Sequence, residues 1–544
     1  MRPTFLGFET QKRTLQLAQK NLDITGNNIS NINTPGYTRQ RVDMYSMYVS
    51  GNRSIRWSSP TNRLSLQGQG ANAYGVSQIR DIFIDKRYRE NVAIESETST
   101  KVKILTDIED ELDNFESDGL QYHVQQFFNA LQDYSVEKPD SADVATIATN
   151  SAVNLCRLLN FYDTKLKEIE TTYVGELSDT VDYINKIVDE MNMLNDKIAK
   201  EKIHFGEEYG PNELYDQMNL YIDELATYGN IEFWQNSNGT YSVKMANVDI
   251  LDGENFKTNR LIMKDYDIYG RAVVFFESGI DLNLTSGSLK AYIDMLNGNG
   301  VYATGGQNST HGIAYFKTAI DEFARTIANV FNTANGADDD PSRMMFDADI
   351  EGALITAGNI HVAEAWRRDP TMIGQVRILD PQTGEYKYGF DEMKDEMRDP
   401  NKVYGETTDK DGNPTGKEDS SKLETSDMVN LQNTNVLYLI SQFNNKALEF
   451  GNCHDFTGSV YEYISFVSNR LGQTIEYEAS RYETAVSTVD GLLDARDDIS
   501  AVQMDEEGIN MLNYQKWYNA SSRMVTALDD LLDKLINGTG RVGL

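Results

Sequence analysis

Five histidines could in principle hold a metal or relay protons, but His123, His204, His311, His361 and His454 stand singly along 544 residues. No His-Glu-x-x-His or His-x-His spacing brings two imidazoles onto one face, so each reads as an ordinary surface or satisfied core residue. Cys156 and Cys453 are the only cysteines. They are too few for a disulfide framework or a thiolate metal site and read as two buried free thiols. The chain has no Gly-x-x-x-x-Gly-Lys phosphate loop and no Gly-x-Ser-x-Gly elbow. Carboxylates, 84 in all, are too abundant for any pair to stand out as acid and base. Asp409, Asp411, Gly412 and Glu418 match positions 3, 5, 6 and 12 of a calcium loop, yet Thr407 takes position 1 and Pro414 interrupts the frame. The 407–418 stretch therefore reads as a solvated acidic loop, and the sequence gives no reason to expect a catalytic residue, metal or cofactor.

The spacing that does carry information is apolar. Phe8, Leu15, Leu22 and Ile29 fall at intervals of seven, and Ala18, Thr25 and Ile32 follow three residues on. This is a coiled-coil stripe, with Thr4 as a helix cap and Asn33-Thr34-Pro35-Gly36 as a stop, because proline removes a donor and Pro-Gly favours a turn. At the other end Tyr514, Leu528 and Leu535 recur at seven or fourteen, with Trp517, Met524 and Leu531 three residues after heptad positions and Tyr518 beside them. Gly26 costs the first helix about 1 kcal/mol relative to Ala, so packing must hold it. Charge favours pairing of the ends: residues 1–45 are net +3 and residues 505–544 net −2. Two unrelated amphipathic surface helices would share the same spacing.

A chain of this length exceeds one core and implies several domains. Lys/Arg number 50, the net charge is −34, and the excess acid lies between the ends. Such a surface repels nucleic acid and anionic membrane and resists premature association. No apolar run has the length of a membrane helix, and Met1-Arg2-Pro3 leads into an amphipathic pattern with no cleavable secretory core.

The fold class that follows is mainly α, elongated and multidomain: a long helical, coiled-coil shaft formed by both chain ends, with an inserted β-rich domain. Residues 1–45 are the first half of the terminal domain and 46–90 an irregular connector. Residues 91–210 form a helical shaft, read as one helix to Asp133 and a second from Ser141 to Lys202, with allowance for a break near Gly175. Alternating segments and the Asn238-Gly239 and Asp252-Gly253 turns mark 211–284 as the β-rich insert. Residues 285–335 return to helix, 336–427 are a mixed exposed segment, 428–504 are helices of the shaft including one from Met428 to Phe450, and 505–544 close the terminal domain.

The run Asn27-Asn28-Ile29-Ser30-Asn31-Ile32-Asn33-Thr34-Pro35-Gly36-Tyr37-Thr38-Arg39-Gln40 resembles the N-terminal signature of bacterial flagellar axial proteins. Asp505-Glu506-Glu507 and the run Asn510 to Ser521 resemble the C-terminal pattern of the flagellar hook-associated protein 1 family, the hook–filament junction proteins; hook and rod proteins usually have Gln-Arg where Tyr514-Gln515 stand. Asn212 to Asn219 resembles an internal motif of that family, with Met218-Asn219 in place of its usual Arg-Asp.

The resemblance implies a structural, non-enzymatic role in the flagellum. It implies export by the type III route without a cleaved signal, assembly into a homo-oligomeric ring, and contacts with hook protein and a second junction protein, hook-associated protein 3. It also implies an export chaperone on the C-terminal helices, with Leu528, Leu531, Leu532 and Leu535 as anchors. The expected assembly interface is Phe8, Leu15, Leu22, Ile29, Ile32, Tyr514, Trp517, Tyr518, Met524, Leu528, Leu531 and Leu535; the axial motif is Asn27, Asn28, Asn31, Asn33, Thr34, Pro35, Gly36 and Tyr37. A hook or rod subunit, or an adhesin displayed through the insert, are the alternatives.

Overall fold

A computed structural model describes residues 4–47, 70–112, 119–136, 142–205, 210–264, 271–303, 308–338, 341–350, 352–374, 377–379, 386–388, 434–451 and 456–538. It is mainly α. The 407–418 loop, Cys453 and His454 lie outside the described residues, as does most of 371–428.

The helices are α1 (Thr4–Ser30), α2 (Ile82–Leu112), α3 (Leu120–Val136), α4 (Ala142–Phe205), α5 (Asn212–Tyr228), α6 (Ser288–Asn297), α7 (Ile313–Ala334), α8 (Glu364–Arg368), α9 (Thr434–Phe443), α10 (Val460–Ser500) and α11 (Met504–Asp533). The spine is α4, 64 residues and hence about 96 Å of uninterrupted helix. Its buried face steps by three and four through Ala145, Ala148, Ala152, Leu155, Leu159, Tyr162 and Leu166, then by fours through Tyr173, Leu177 and Val181, before resuming at Ile184, Val188 and Met191. The expected break near Gly175 is absent: a Cβ there would meet nothing, and the helix carries the glycine because neighbours on both sides are anchored. Cys156 is a buried free thiol on this face.

Antiparallel to each other, α2 and α10 form the lower shaft, with Asp85 near the start of α2 bonded to Arg496 near the end of α10. The start of α10 is fixed by a capping box in which Ser459 and Glu462 satisfy each other's backbone N–H. The single helix expected over 91–133 is two helices, and α2 begins nine residues earlier than expected, at Ile82. Phe127 of α3 packs with Phe331 of α7 and Phe443 of α9, and with Trp366 of α8.

The region expected to be an irregular connector contains β1 (Gln40–Ser46) and β2 (Ala71–Gln78), an antiparallel pair. The helix expected over 428–450 stops at Phe443, after which further residues form strands. The insert opens with α5 and continues as a four-stranded antiparallel meander, β3 (Ile231–Gln235), β4 (Tyr241–Met245), β5 (Val248–Asp252) and β6 (Lys257–Thr258), then a hairpin, β7 (Leu261–Lys264) and β8 (Val273–Phe276). Three shorter antiparallel partnerships involve β9 (Phe346–Ala348) with β10 (Ile360–Val362), β11 (Arg377–Leu379) with β12 (Tyr386–Tyr388), and β13 (Leu448–Phe450) with β14 (Phe456–Gly458). The β4–β5 turn uses Ala246 and Asn247, both at positive φ, the geometry of a type I′ turn made without glycine.

The insert is sutured to α4 by asparagines. Asn195 donates to the Tyr241 carbonyl and accepts from the Tyr241 N–H, both at 2.8 Å. Asn185 makes the same pair with Leu261 at 2.9 and 2.8 Å. Each side chain thus supplies a surrogate peptide to a strand, and α4 satisfies backbone groups that burial would otherwise leave unpaired. Asn297 does this for Ala272, and Asn332 for Phe346.

Candidate assembly interface

Helices α1 and α11 run antiparallel: Gly7 lies against Leu528 at one end, and Asn28 bonds Glu507 at the other. The residues buried along α1 are Ala18, Asn21, Thr25 and Asn28, with Leu17 beside them. The expected stripe of Phe8, Leu15, Leu22 and Ile29, together with Ile32, lies at the edge of this seam, half-buried. Ala18 and Thr25 of the expected pattern lie in the seam itself, and Asn21 and Asn28 join them at the same seven-residue interval, polar residues that a search for apolar ones passes over. On α11 the inner line runs Glu507, Met511, Tyr514, Ser521, Val525, Leu528 and Leu532, of which only Glu507 and Ser521 are fully buried.

The other expected C-terminal residues face outward. Trp517, Met524 and Leu531 are 46, 49 and 62% exposed, and Tyr518 and Leu535 are exposed with them. Beside Trp517 an open groove of about 760 Å³ runs between α1, the base of the β1–β2 pair and α11, lined by Leu17, Met44, Ala71 and Ala520. A subunit thus presents one apolar ridge and one apolar groove along its terminal hairpin.

The asparagine-rich motif is a chain reversal. Asn31 donates to Asn27 Oδ1 at 2.9 Å, and Thr34 Oγ1 donates to Asn31 Oδ1 at 3.1 Å. Gly36, at φ +75°, turns the chain where a Cβ would strike Leu220. Asn33 and Pro35 are exposed. Tyr37 Oη donates to Asn28 Oδ1 at 2.9 Å and accepts from Asn27 at 3.3 Å. Asn28 then clamps Gln40, accepting from its N–H at 3.0 Å and donating to its carbonyl at 2.9 Å. Burial, with Asp216, Glu213 and Glu507 nearby, pushes the Tyr37 phenol well above its ordinary value, so it stays a donor.

Below the reversal lies a buried ionic knot that the sequence reading missed. Arg39 bonds Glu507 at 2.8 Å and Glu506 at 2.7 Å. Arg80 pairs with Asp85 at 3.0 Å, and Arg496 with Asp85 at 2.8 Å and Asp223 at 2.7 Å. Arg89, buried, bonds Asp223 at 2.5 Å and Asn219 Oδ1 at 3.0 Å, so the residue that departs from the family motif still receives an arginine. Apart from Arg80 and Asp85, five residues apart, the partners in this knot lie far apart in sequence, and no local spacing announces them. Among the described residues no group of three or more His, Cys, Asp or Glu could hold a metal, and no helix is long and apolar enough to cross a membrane.

Comparison with known proteins follows the same division of the chain. Residues 105–342 match the family described as flagellar hook-associated protein FlgK helical domain, residues 8–38 that of flagella basal body rod protein, and residues 498–538 that of flagellar basal body rod FlgEFG protein C-terminal. Flagellar hook-associated protein 1 of Bacillus subtilis is 28% identical, with 99% of each chain covered. That of Escherichia coli is 23% identical, over 96% of this chain and 98% of its own. The structure titled flagellar hook junction protein FlgK from Burkholderia pseudomallei superposes with a TM-score of 0.53 at 12% identity, covering 76% of this chain and all of that one.

Proposed function

Because the chain belongs to the flagellar hook-associated protein 1 family, structural axial components of the bacterial flagellum, we propose that it forms the junction between hook and filament. It works by assembly and not by turnover. Subunits meet head to tail around the axis, a heterologous arrangement that closes into a ring when its rotation closes. Hook protein lies below this ring and the second junction protein, hook-associated protein 3, above it. The chain reaches its site through the type III export route without a cleaved signal, and a chaperone covers Leu528, Leu531, Leu532 and Leu535 beforehand.

The observation that supports this reading is the uncovered ridge of Trp517, Met524 and Leu531 beside the groove at Leu17 and Met44. Deleting the gene in its motile host is expected to leave hooks without filaments and flagellin in the medium. Complementation with a Trp517→Ser, Met524→Ser, Leu531→Ser chain should not restore filaments. Cells lacking hooks would instead make this a rod or hook subunit, and normal motile filaments after deletion would overturn the junction role.

A further inference from the structure

In a chain with 84 carboxylates to 50 Lys/Arg side chains, an arginine without a partner is uncommon. Among the described residues, Arg157, Arg367 and Arg523 are the arginines that have no ion pair, hydrogen bond or ring contact. Arg157 and Arg367 line the same open cleft, of about 460 Å³, between the first part of α4 and the segment from α8 to Pro370.

The long wall of the cleft is one face of α4. Thr146, Asn150, Asn154 and Arg157 follow one another there at helical spacing, in a line about 16 Å long. The amides of Asn150 and Asn154 are exposed and bond no other described group. Thr146 gives its proton to the Ala142 carbonyl at 2.6 Å, which leaves its oxygen as an acceptor. The facing wall, with Arg367, is held against α4: Trp366 is fully buried, and Asn160 donates to the Ala357 and Ile360 carbonyls at 2.7 and 3.3 Å. Among the described residues no carboxylate lines the cleft. The two nearest Arg367 in sequence are engaged elsewhere, Glu364 by Arg368 and Asp369 by the N–H and hydroxyl of Thr371.

We infer that this cleft binds an acidic saccharide, whose carboxylate or sulfate group is held by Arg157 and Arg367. A guanidinium offers either group paired N–H donors. Asparagine amides both donate and accept, as sugar hydroxyls require, and Val153 and Pro370 supply apolar surface for the C–H face of a ring. A nucleic acid strand would need aromatic side chains for its bases to stack on, and none lines the cleft. The net charge of −34 does not prevent binding, because acids farther than about 8 Å are screened at physiological ionic strength. The site shares no residue with the terminal hairpin and lies about 57 Å along α4 from Asn195, where the insert is attached.

Isothermal titration of the full-length chain in physiological salt tests this. The probes are a heparin-derived tetrasaccharide, sulfated; tetragalacturonate, carboxylated; maltotetraose, neutral; and tetraglutamate, an acidic peptide. Saturable binding of either acidic saccharide is expected, about tenfold or more tighter than that of maltotetraose or tetraglutamate, and the one that binds tells sulfate from carboxylate. Arg157→Gln and Arg367→Gln should each weaken it about tenfold; both side chains are exposed and unpaired, so the fold is spared. Asn154→Ala, which removes no charge, should weaken it about threefold. Arg523→Gln should leave it unchanged. Absence of saturable binding, equal binding of maltotetraose or tetraglutamate, full affinity in Arg157→Gln or Arg367→Gln, or an equal loss in Arg523→Gln would each overturn the site.

Discussion

Arg39 Nε lies 2.8 Å from Glu507 Oε1 across 468 positions of sequence, and the second oxygen of the same carboxylate accepts from Asn28. One buried carboxylate thereby binds the reversal after α1 to the start of α11. Removing one partner of a buried, hydrogen-bonded pair costs about 3 kcal/mol or more, because the other is left uncompensated. Glu507→Ala should accordingly detach the terminal hairpin while leaving the shaft folded. Hydrogen exchange of α1 and α10 in the same sample is the check, and equal loss of protection in both would show that the pair supports the whole molecule.

Asn195 gives a sharper test of what holds the insert. Substitution by alanine orphans a buried N–H and a buried carbonyl of Tyr241, at about 1–3 kcal/mol each. Asn192, half-buried, makes one long bond of 3.4 Å to the Phe256 carbonyl and leaves its buried Oδ1 without a partner, so its removal orphans far less. Urea unfolding should move to lower midpoint for Asn195→Ala and stay near wild type for Asn192→Ala.

Helix α11 buries only two residues fully, so most of its apolar surface remains exposed to water in the free chain. Its ends and those of α1 should fray in solution and order on polymerisation. Circular dichroism should show more helix in the polymer than in the monomer, and equal helix content would refute this. Gly26→Ala, at a position where a Cβ meets nothing within 4 Å, should narrow the difference by stabilising α1 by about 1 kcal/mol.

Acid should loosen the pairing at Asp85. Burial works to raise the Asp85 carboxyl, but Arg80 and Arg496 outweigh it and hold it below its ordinary value. A lowered carboxyl contributes stability that is complete above its unfolded value near 4 and is lost as pH falls through the folded value. Asp85→Asn should cost about 3 kcal/mol at pH 7, and urea midpoints of the two proteins should converge only below about pH 4. Convergence already at pH 5.5 would mean that the arginines do not hold this carboxyl down.

Periodicity made the long elements legible. The α4 stripe could be read because it depends on residues within a turn or two of each other. The β1–β2 pair could not, since Gln40 and Gln78 recognise each other across a long polar stretch and Asn28, not a turn motif, sets the first strand's start. Of the terminal seam, Ala18 and Thr25 stand in the expected pattern, whereas Asn21 and Asn28 pack by size and hydrogen bonding and the larger Leu15 and Leu22 beside them dominate any apolar pattern. The reversal motif was visible as a sequence, but its role as a hydrogen-bonded scaffold for Glu507 appears only in three dimensions.

Since Arg39 and Glu507 sit at opposite ends of the chain, the order in which parts can fold is constrained. Closing so long a loop directly is entropically expensive, and its cost grows with the logarithm of length. Once α2 and α10 have zipped together, the span left to close shrinks from most of the chain to the segment from Arg39 to Ile82 on one side and the short one from Ser500 to Glu507 on the other. The shaft is thus a prerequisite for the hairpin, and the ridge on α11 is the last surface to be completed.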